Sequence, residues 1–554
     1  MKILRKRWTS RTLATALTAL AACPSLFAGE GPVVPARPGA RVSRPLPEAV
    51  EGGISLTLSD AVALALANNA DLNVSVNTAE SFRYNLMLSW GIFDPLLQVS
   101  AIRAHNEIPA TSTLVGAIVN RVDTFDARAQ LQQLNPVGGT FTLGYAANRT
   151  ASNSTFAFVN PSYSSGITLS VSQPLLRGFG LQPTYWQINI ARNTQGSAYL
   201  DFVRSVQTVV NGVEQAYWDL VYAIENLKVK QESLKIAQDL NRITKIKIDV
   251  GSLAPIDIVQ TEVGIAQAEQ DIITAEGLIG DAQDRLKRNM NFEATRWATP
   301  IVPMDKVQTD ERIAIKIEEA TKGALDKRPE VLQALFQAQS DRIRYQYWKS
   351  EALPGLNLIG SYGHPGVGGT VRLTDANGNP IGTIPGDFGD AWKQMTDRTY
   401  KNWSFGLQFS YPILNRAGRG SLGVAKYNFE SSKARLTTTE QNVQLDVRAA
   451  ARAIDTAARS IVAARKGREL AERNLDAERK KFENGMTTSF QVTQIQRDLS
   501  AARTTEMQAL AIYRKAVSAF HYAVADILEW KGVRVEATPE DLRSIQQVRR
   551  EETP

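Results

Sequence analysis

Histidine occurs three times in this 554-residue chain, at His105, His364 and His521, and cysteine once, at Cys23. The histidines lie far apart without ligand spacing, which leaves little material for a metal site. One cysteine excludes an intramolecular disulfide, and no convergent set of catalytic side chains stands out. Long apolar runs are missing as well. Past the N-terminal stretch nothing approaches the roughly 20 residues that a membrane-spanning helix needs. If the mature chain enters a membrane, it must do so through strands closed into a barrel.

The first stretch reads as an export signal. Lys2, Arg5, Lys6, Arg7 and Arg11 precede a short apolar run, Leu13 to Ala22, too short to span a bilayer. Two processing readings compete. Leu20-Ala21-Ala22-Cys23 is like a lipobox, with cleavage before a lipidated Cys23; alternatively Pro24 breaks the run and cleavage follows Ala28. An apolar helix retained in the fold is the third and plainest reading. The formal charge is +7, and residues 1–28 hold five basic side chains and no acidic one. The remainder is thus near +2, and its charge calls for no nucleic acid.

Residues 29–53 have the Pro- and Gly-rich composition of an extended linker. Beyond the linker the chain carries one pattern in two copies. LTLSDAVALALANNADLNV (56–74) is matched by IKIEEATKGALDKRPEVLQ (315–333): Leu58 with Ile317, Asp60 with Glu319, Ala61 with Ala320, Leu66 with Leu325, Asp71 with Glu330. Ser59 is a plausible cap for a first helix over 56–90. Extended segments come next at 93–101 and 353–361, and again at 166–176 and 404–414. In the latter pair small or polar residues alternate with apolar ones, the period-2 pattern of a wall with two different faces.

Long helices succeed the strands. Val203, Val206, Val210, Val213, Tyr217, Leu220, Ile224 and Leu227 are spaced alternately by three and four, as are Val443, Val447, Ala450, Ile454, Ala457 and Ile461. These are heptad seams. A helix over 181–248 would reach roughly 100 Å, more than a compact domain needs. Gly251 and Gly485 suit the left-handed position that ends such helices. Return helices are predicted over 255–290 and 489–527. An opening helix plus a return helix matches one long helix in length, so two short helices stacked end to end can line one long one. Residues 121–149 read as an additional hairpin turning at Pro136 to Gly139, and 364–400 as a long loop. Both insertions are expected to face outward.

These residues resemble the TolC-like outer-membrane efflux family: LTLSDAVALALANN, FDPLL, the SQPLLRGFG strand-to-helix junction, the turns at Gly251 and Gly485, and the duplication. The resemblance covers nearly the whole mature chain. It implies a mainly α protein with transmembrane β structure, a homotrimer in which each protomer gives four strands to one 12-stranded β-barrel, continued by a long periplasmic α-barrel. It implies a passive duct without catalytic residues or cofactor. The partners would be a periplasmic adaptor (membrane fusion) protein, an inner-membrane transporter and outer-membrane lipid. The units would be 54–300 and 301–530, with a charged tail, 531–554, after them. At the tips, Asp257 matches an acidic latch position. Gln491 and Gln494 stand where the family's well-studied member has aspartate rings, and Thr487 where it has a latch arginine. Amides select cations less than carboxylates do, so a polar, weakly selective gate is expected.

Plainer readings stand beside these. Asp498 and Glu506 read as solvated helix faces. The glycines of RGFG (177–180) and RAGRG (416–420) read as strand-to-helix corners, without the lysine of a phosphate loop. Trp403 and Tyr411 suit an interfacial belt; Trp90, Phe93, Tyr185, Trp186, Tyr345, Tyr347 and Trp348 suit it less. A periplasmic coiled-coil adaptor or structural envelope protein is the alternative function, which two hairpins alternating with two strand pairs disfavour.

Overall fold

A computed structural model describes residues 53–109, 118–305, 315–374, 380–535 and 545–546. The signal segment with Cys23, the linker up to residue 52 and most of the tail lie outside the described residues. The chain builds a seven-stranded sheet at one end and long helices running away from it.

The opening helix is two helices in each half. Helix α1 (Leu58–Asn68) and α2 (Ala70–Trp90) break at Asn69, and α5 (Ile317–Lys327) and α6 (Pro329–Glu351) break at Arg328. The two break points stand 259 residues apart, the displacement of the sequence match. Asn69 caps α2 by accepting from Leu72 N–H at 3.0 Å and donates its amide to Asn289 O at 2.7 Å. Arg328 precedes Pro329, which disfavours helical backbone before it, and its guanidinium reaches Asp446 at 2.8 Å and Glu330 at 3.3 Å. Thr57, rather than Ser59, caps α1, accepting from Asp60 N–H at 3.2 Å.

Helices α3 (Leu181–Asp249, 69 residues) and α8 (Arg416–Glu483, 68 residues) are unbroken, each about 100 Å long. They return through α4 (Asp257–Met290) and α9 (Ser489–Val524). The seams fall where the spacing put them. Val206, Val210, Val213, Tyr217 and Leu220 form one core with Leu286 and Met290. Val443, Val447, Ile454, Ala457 and Ile461 form another with Tyr513, Val517 and Phe520. Burying each such aliphatic side chain contributes about 1.5–3 kcal/mol. Ala451 takes the buried place expected of Ala450, which is only half-buried.

A short parallel pair joins the start of the chain to its middle. Strand β1 (Ile54–Leu56) lies beside β6 (Ile301–Pro303). Tyr217, fully buried on α3, holds it by donating to Asp305 Oδ2 at 2.6 Å and lying 3.1 Å from Leu56 O. Burial, then the Asp305 carboxylate, pushes the phenol well above its ordinary value.

The large sheet has β2 (Leu96–Pro109), β3 (Val119–Leu134), β4 (Thr140–Ser152), β5 (Val159–Pro174) and β7 (Gly355–Thr374) in that order. Beyond β7, β8 (Pro380–Ile384) pairs with its outer end and β9 (Asn402–Ser410) with its helical end. The sheet of one protomer thus holds seven strands, where four were expected. The 121–149 insertion is part of the wall, paired with β2 on one side and β5 on the other. Its turn points towards the helices rather than outward. Asn135 Oδ1 accepts from the N–H groups of Val137 and Gly139, and Val137 O accepts from Gly180 N–H at 3.2 Å. The 364–400 segment is also not a plain loop. It holds the outer half of β7 (with His364 in the strand), β8 and helix α7 (Phe388–Thr396).

Candidate functional site

Strand alternation gives the sheet two unlike faces. One reads, strand by strand, Leu97 and Val99; Phe125, Ala127, Ala129 and Leu131; Phe141, Leu143 and Tyr145; Ile167, Leu169 and Val171; Leu356, Leu358 and Tyr362; Trp403, Phe405, Leu407 and Phe409. The opposite face reads Gln98 and Ser100; Gln130 and Gln132; Thr140 and Thr142; Thr168, Ser170 and Ser172; Asn357 and Ser361; Ser404 and Gln408. The register places both sets in rows across the sheet. Trp403 is 73% exposed and Phe405 71%. A large exposed apolar band opposite a polar face is the arrangement of a barrel wall with lipid on one side and a lumen on the other. Among the described residues no helix is long and apolar enough to cross a membrane.

Helix α7 lies on the apolar face at its outer end. Gly366 and Gly368 allow the approach: a Cβ on the first would collide with Ala391 O and one on the second with Asp387 O. Trp392 meets Tyr145 edge-on at 5.8 Å and Phe388 meets Tyr163 at 6.4 Å. Gln394 Oε1 accepts from Val367 N–H at 3.1 Å, on a stretch of β7 that neither β8 nor β9 reaches. Asp387 and Asp390 cap the helix reciprocally. Its polar side leaves Asp390 and Lys393 exposed.

Two corners join strands to long helices. Gly178 and Gly180 have φ of +75° and +101°, and Asn415 takes the left-handed conformation just before α8. Trp90, Phe93 and Tyr185 pack together with centroids 5.0–6.1 Å apart, and Trp186 stacks on Tyr347 at 4.3 Å. Those aromatics fill junctions between helices and strands. Trp403 instead stands on the exposed face, and Tyr411 comes just after the end of β9.

At the far end both long helices finish alike. Gly251 (φ +74°) and Gly485 (φ +73°) sit in the left-handed region, and Ser252 N–H and Met486 N–H bond back to Lys247 O and Lys481 O at 2.7 and 2.9 Å. The two tips touch. Ser489 Oγ donates to Asp257 Oδ1 at 3.4 Å. Lys247 reaches the carbonyls of Phe482 and Glu483 at the end of α8 and sits 4.6 Å above the Phe482 ring, a cation on the negative end of a helix. Thr487 does not cross between tips; it donates to Glu478 Oε1 at 2.6 Å within its own hairpin. That bond, then Lys481, holds the Glu478 carboxyl below the usual range. Gln491, Gln494 and Asp498 succeed one another on an exposed face of α9, with the Gln494 amide 3.3 Å from Asp498 Oδ1.

The sequence model of the outer membrane efflux protein family matches residues 120–291 and 321–523, well over half of the chain. The chain belongs to the outer membrane efflux protein family. Its function is accordingly that of an outer-membrane channel. Nodulation protein T of Rhizobium leguminosarum bv. trifolii is 21% identical over 357 residues, 60% of this chain and 68% of that protein. Among solved structures, a membrane protein from Pseudomonas aeruginosa superposes with a TM-score of 0.62 at 17% identity, over 84% of this chain and 90% of that one. The CmeC outer membrane channel of Campylobacter jejuni gives 0.62 at 16% identity, over 89% of each chain. The open-state MtrE outer membrane channel of Neisseria gonorrhoeae gives 0.56 at 16%, over 85% and 89%. At such identities the likeness shows the fold.

Within this efflux-family fold Gly251, Asp257, Gly485, Thr487, Gln491 and Gln494 all lie at the helical ends. Sequence reasoning missed Lys247, whose signal was a lysine in the last turn of a long helix. Asp498, read as solvated, is exposed one turn beyond Gln494. Glu506 is buried between Arg465 and Arg468, an ion-pair role rather than a solvated one.

Proposed function

We propose that three copies assemble about a common axis into a passive duct with no catalytic step of its own. Their sheets close into one barrel in the outer membrane, and their helices, arranged as two duplicated units (54–300 and 301–530), continue it through the periplasm. One observation supports this above the others: a sheet with an apolar and a polar face hands over directly to helices about 100 Å long. The duct serves as the outer component of a tripartite efflux pump or a type I secretion system, meeting a periplasmic adaptor and an inner-membrane transporter. Around Gly251 and Gly485 the exposed Val250, Ile256, Met486 and Phe490 offer that adaptor an apolar surface. Gln491, Gln494 and Asp498 line the gate, and Trp403 and Tyr411 sit at the lipid boundary.

Fractionation tests the assembly. A detergent-stable trimer in the outer membrane is expected, and a soluble periplasmic monomer would overturn the reading. Docking has its own test. Replacing Gly251 or Gly485 by Val meets no neighbouring atom but strains a positive-φ turn. Export is expected to fall while barrel insertion is unchanged; full export by both variants would remove the tips as the docking surface.

A further inference from the structure

We infer that the duct's outer end is an 18-stranded barrel, six strands from each of three copies, with β2 of one copy paired to β9 of the next. This rests on the trimeric reading above and departs from the four strands per protomer that the family resemblance implies.

Hairpin β3–β4 is built as wall. Its strands are 16 and 13 residues long, and a tilted strand spans a bilayer with about 9–11. The register continues without interruption from β2 through β3 and β4 to β5. Leu131, Phe141 and Leu143 therefore extend the same apolar band that Leu169 and Phe405 belong to. A hairpin standing in water above the membrane would have no use for that band. Its turn also reaches the far side of the wall. Gly138, at φ +90°, lies so close to the strand-to-helix corner that a Cβ would meet Gly178 O at 2.5 Å. The hairpin thus crosses from the outer end to the helical end and back.

The two free edges then determine the occupant. Among the described residues β2 pairs only with β3, and β9 only with β7. Both edges show apolar side chains on the lipid face, with Val99 72% and Trp403 73% exposed. An open edge cannot stand in hydrocarbon, because its backbone groups would have no partners. Strand β2 leaves the helical end and β9 returns to it, so side by side they are antiparallel. Six is even, which keeps the alternation intact around the ring. Strand β8 adds no seventh wall position, because it shares with β9 the same edge of β7.

Barrel diameter grows roughly in proportion to strand number, so this exit is about half as wide again as a 12-stranded one. Its lumen is nearly uncharged. From the helical end up to the row of Ser162, Thr150 and Thr124, the polar face holds one acid and one base, Asp126 and Arg128, 3.6 Å apart. The remaining polar groups there are hydroxyls and amides. Such an exit sorts cargo by neither charge nor fine size, which leaves selection to the helical tips.

Imaging the full-length protein in lipid nanodiscs tests this directly. A threefold particle with 18 strands is expected. A threefold particle with 12 strands and residues 119–152 outside the barrel would overturn the inference and leave the trimer standing; a particle without threefold symmetry would overturn both. Membranes containing Thr142→Cys or Leu143→Cys give a second readout, measured against the unsubstituted chain. A water-soluble maleimide should label position 142 and spare 143 until the bilayer is dissolved. Equal labelling of both in intact membranes would place the hairpin in water and refute it.

Discussion

The two halves of the chain fill the space between their outer strands in opposite ways. The first half inserts a hairpin whose period-2 pattern matches its neighbours, and the hairpin becomes wall. The second half inserts a helix, α7, whose period cannot enter a ladder, and the helix lies on the sheet instead. An insertion's periodicity thus decides whether it widens a sheet or decorates it.

The strongest way to break that contrast is a pair of valines. Gly138→Val places a Cβ against Gly178 O at a positive-φ turn. A cost of about 3 kcal/mol or more is expected from strain and clash, read as loss of the folded, heat-resistant assembly. Gly366→Val clashes with Ala391 O but should only lift α7, leaving insertion intact and exposing 385–400 to protease. Equal failure of both would mean that α7 is as structural as the hairpin.

A smaller contrast lies at the matched helix breaks. Arg328→Ala takes the cation from Asp446 and leaves Glu330 with Arg204 alone. Because Asp446 is solvent-exposed, the cost is about 2 kcal/mol. Asn69→Ala removes a cap and should cost about 1 kcal/mol. Urea midpoints of the detergent-extracted protein report both, and a larger loss for Asn69 would reverse the order. Tyr217→Phe should cost about 1–2 kcal/mol, by removing the hydroxyl from Asp305 and Leu56 O.

The weakest effect distinguishes the tips by pH. The Glu478 carboxyl is depressed in the folded tip. Its contribution is therefore complete above the unfolded value, about 4.3 for glutamate, and is lost as pH falls through the lower, folded one. Conductance should hold steady down to about pH 5 and change only below the usual glutamate range. Thr487→Val should move that change upward. A transition already present near neutral pH would rule out the Thr487–Glu478 bond as its cause.

Most of the tube was legible because helices of this length repeat their signal many times. The seams at Val206–Leu220 and Val443–Ile461, and the terminal glycines 251 and 485, each come from local rules. The hairpin's place was not, since alternation is the same whether a strand pair lies within a sheet or beside it; only the register across β2 and β5 decides. Helix α7 was hidden by its Gly-, Asp- and Asn-rich surroundings, and by having about two turns in which to show a period. At the tips, Thr487 and Asp257 were found by position, but their partners, Glu478 and Ser489, depend on how two separate hairpins meet. The break at Arg328 had a local sign in Pro329; the break at Asn69 had one in its paired asparagines.

The short pair of β1 with β6 also sets an order of events. Ile54 and Ile301 are neighbours in space but 247 residues apart along the chain. Their pairing turns the whole first half into a closed loop, and closing a loop that long is slow, although its extra entropy cost grows only with the logarithm of length. Residues 54–56 thus wait for residues 301–303 before they have a strand partner. Once Tyr217 locks that clasp, the second half is tethered at Pro303 to a finished first half, and it folds against a template rather than from an open coil.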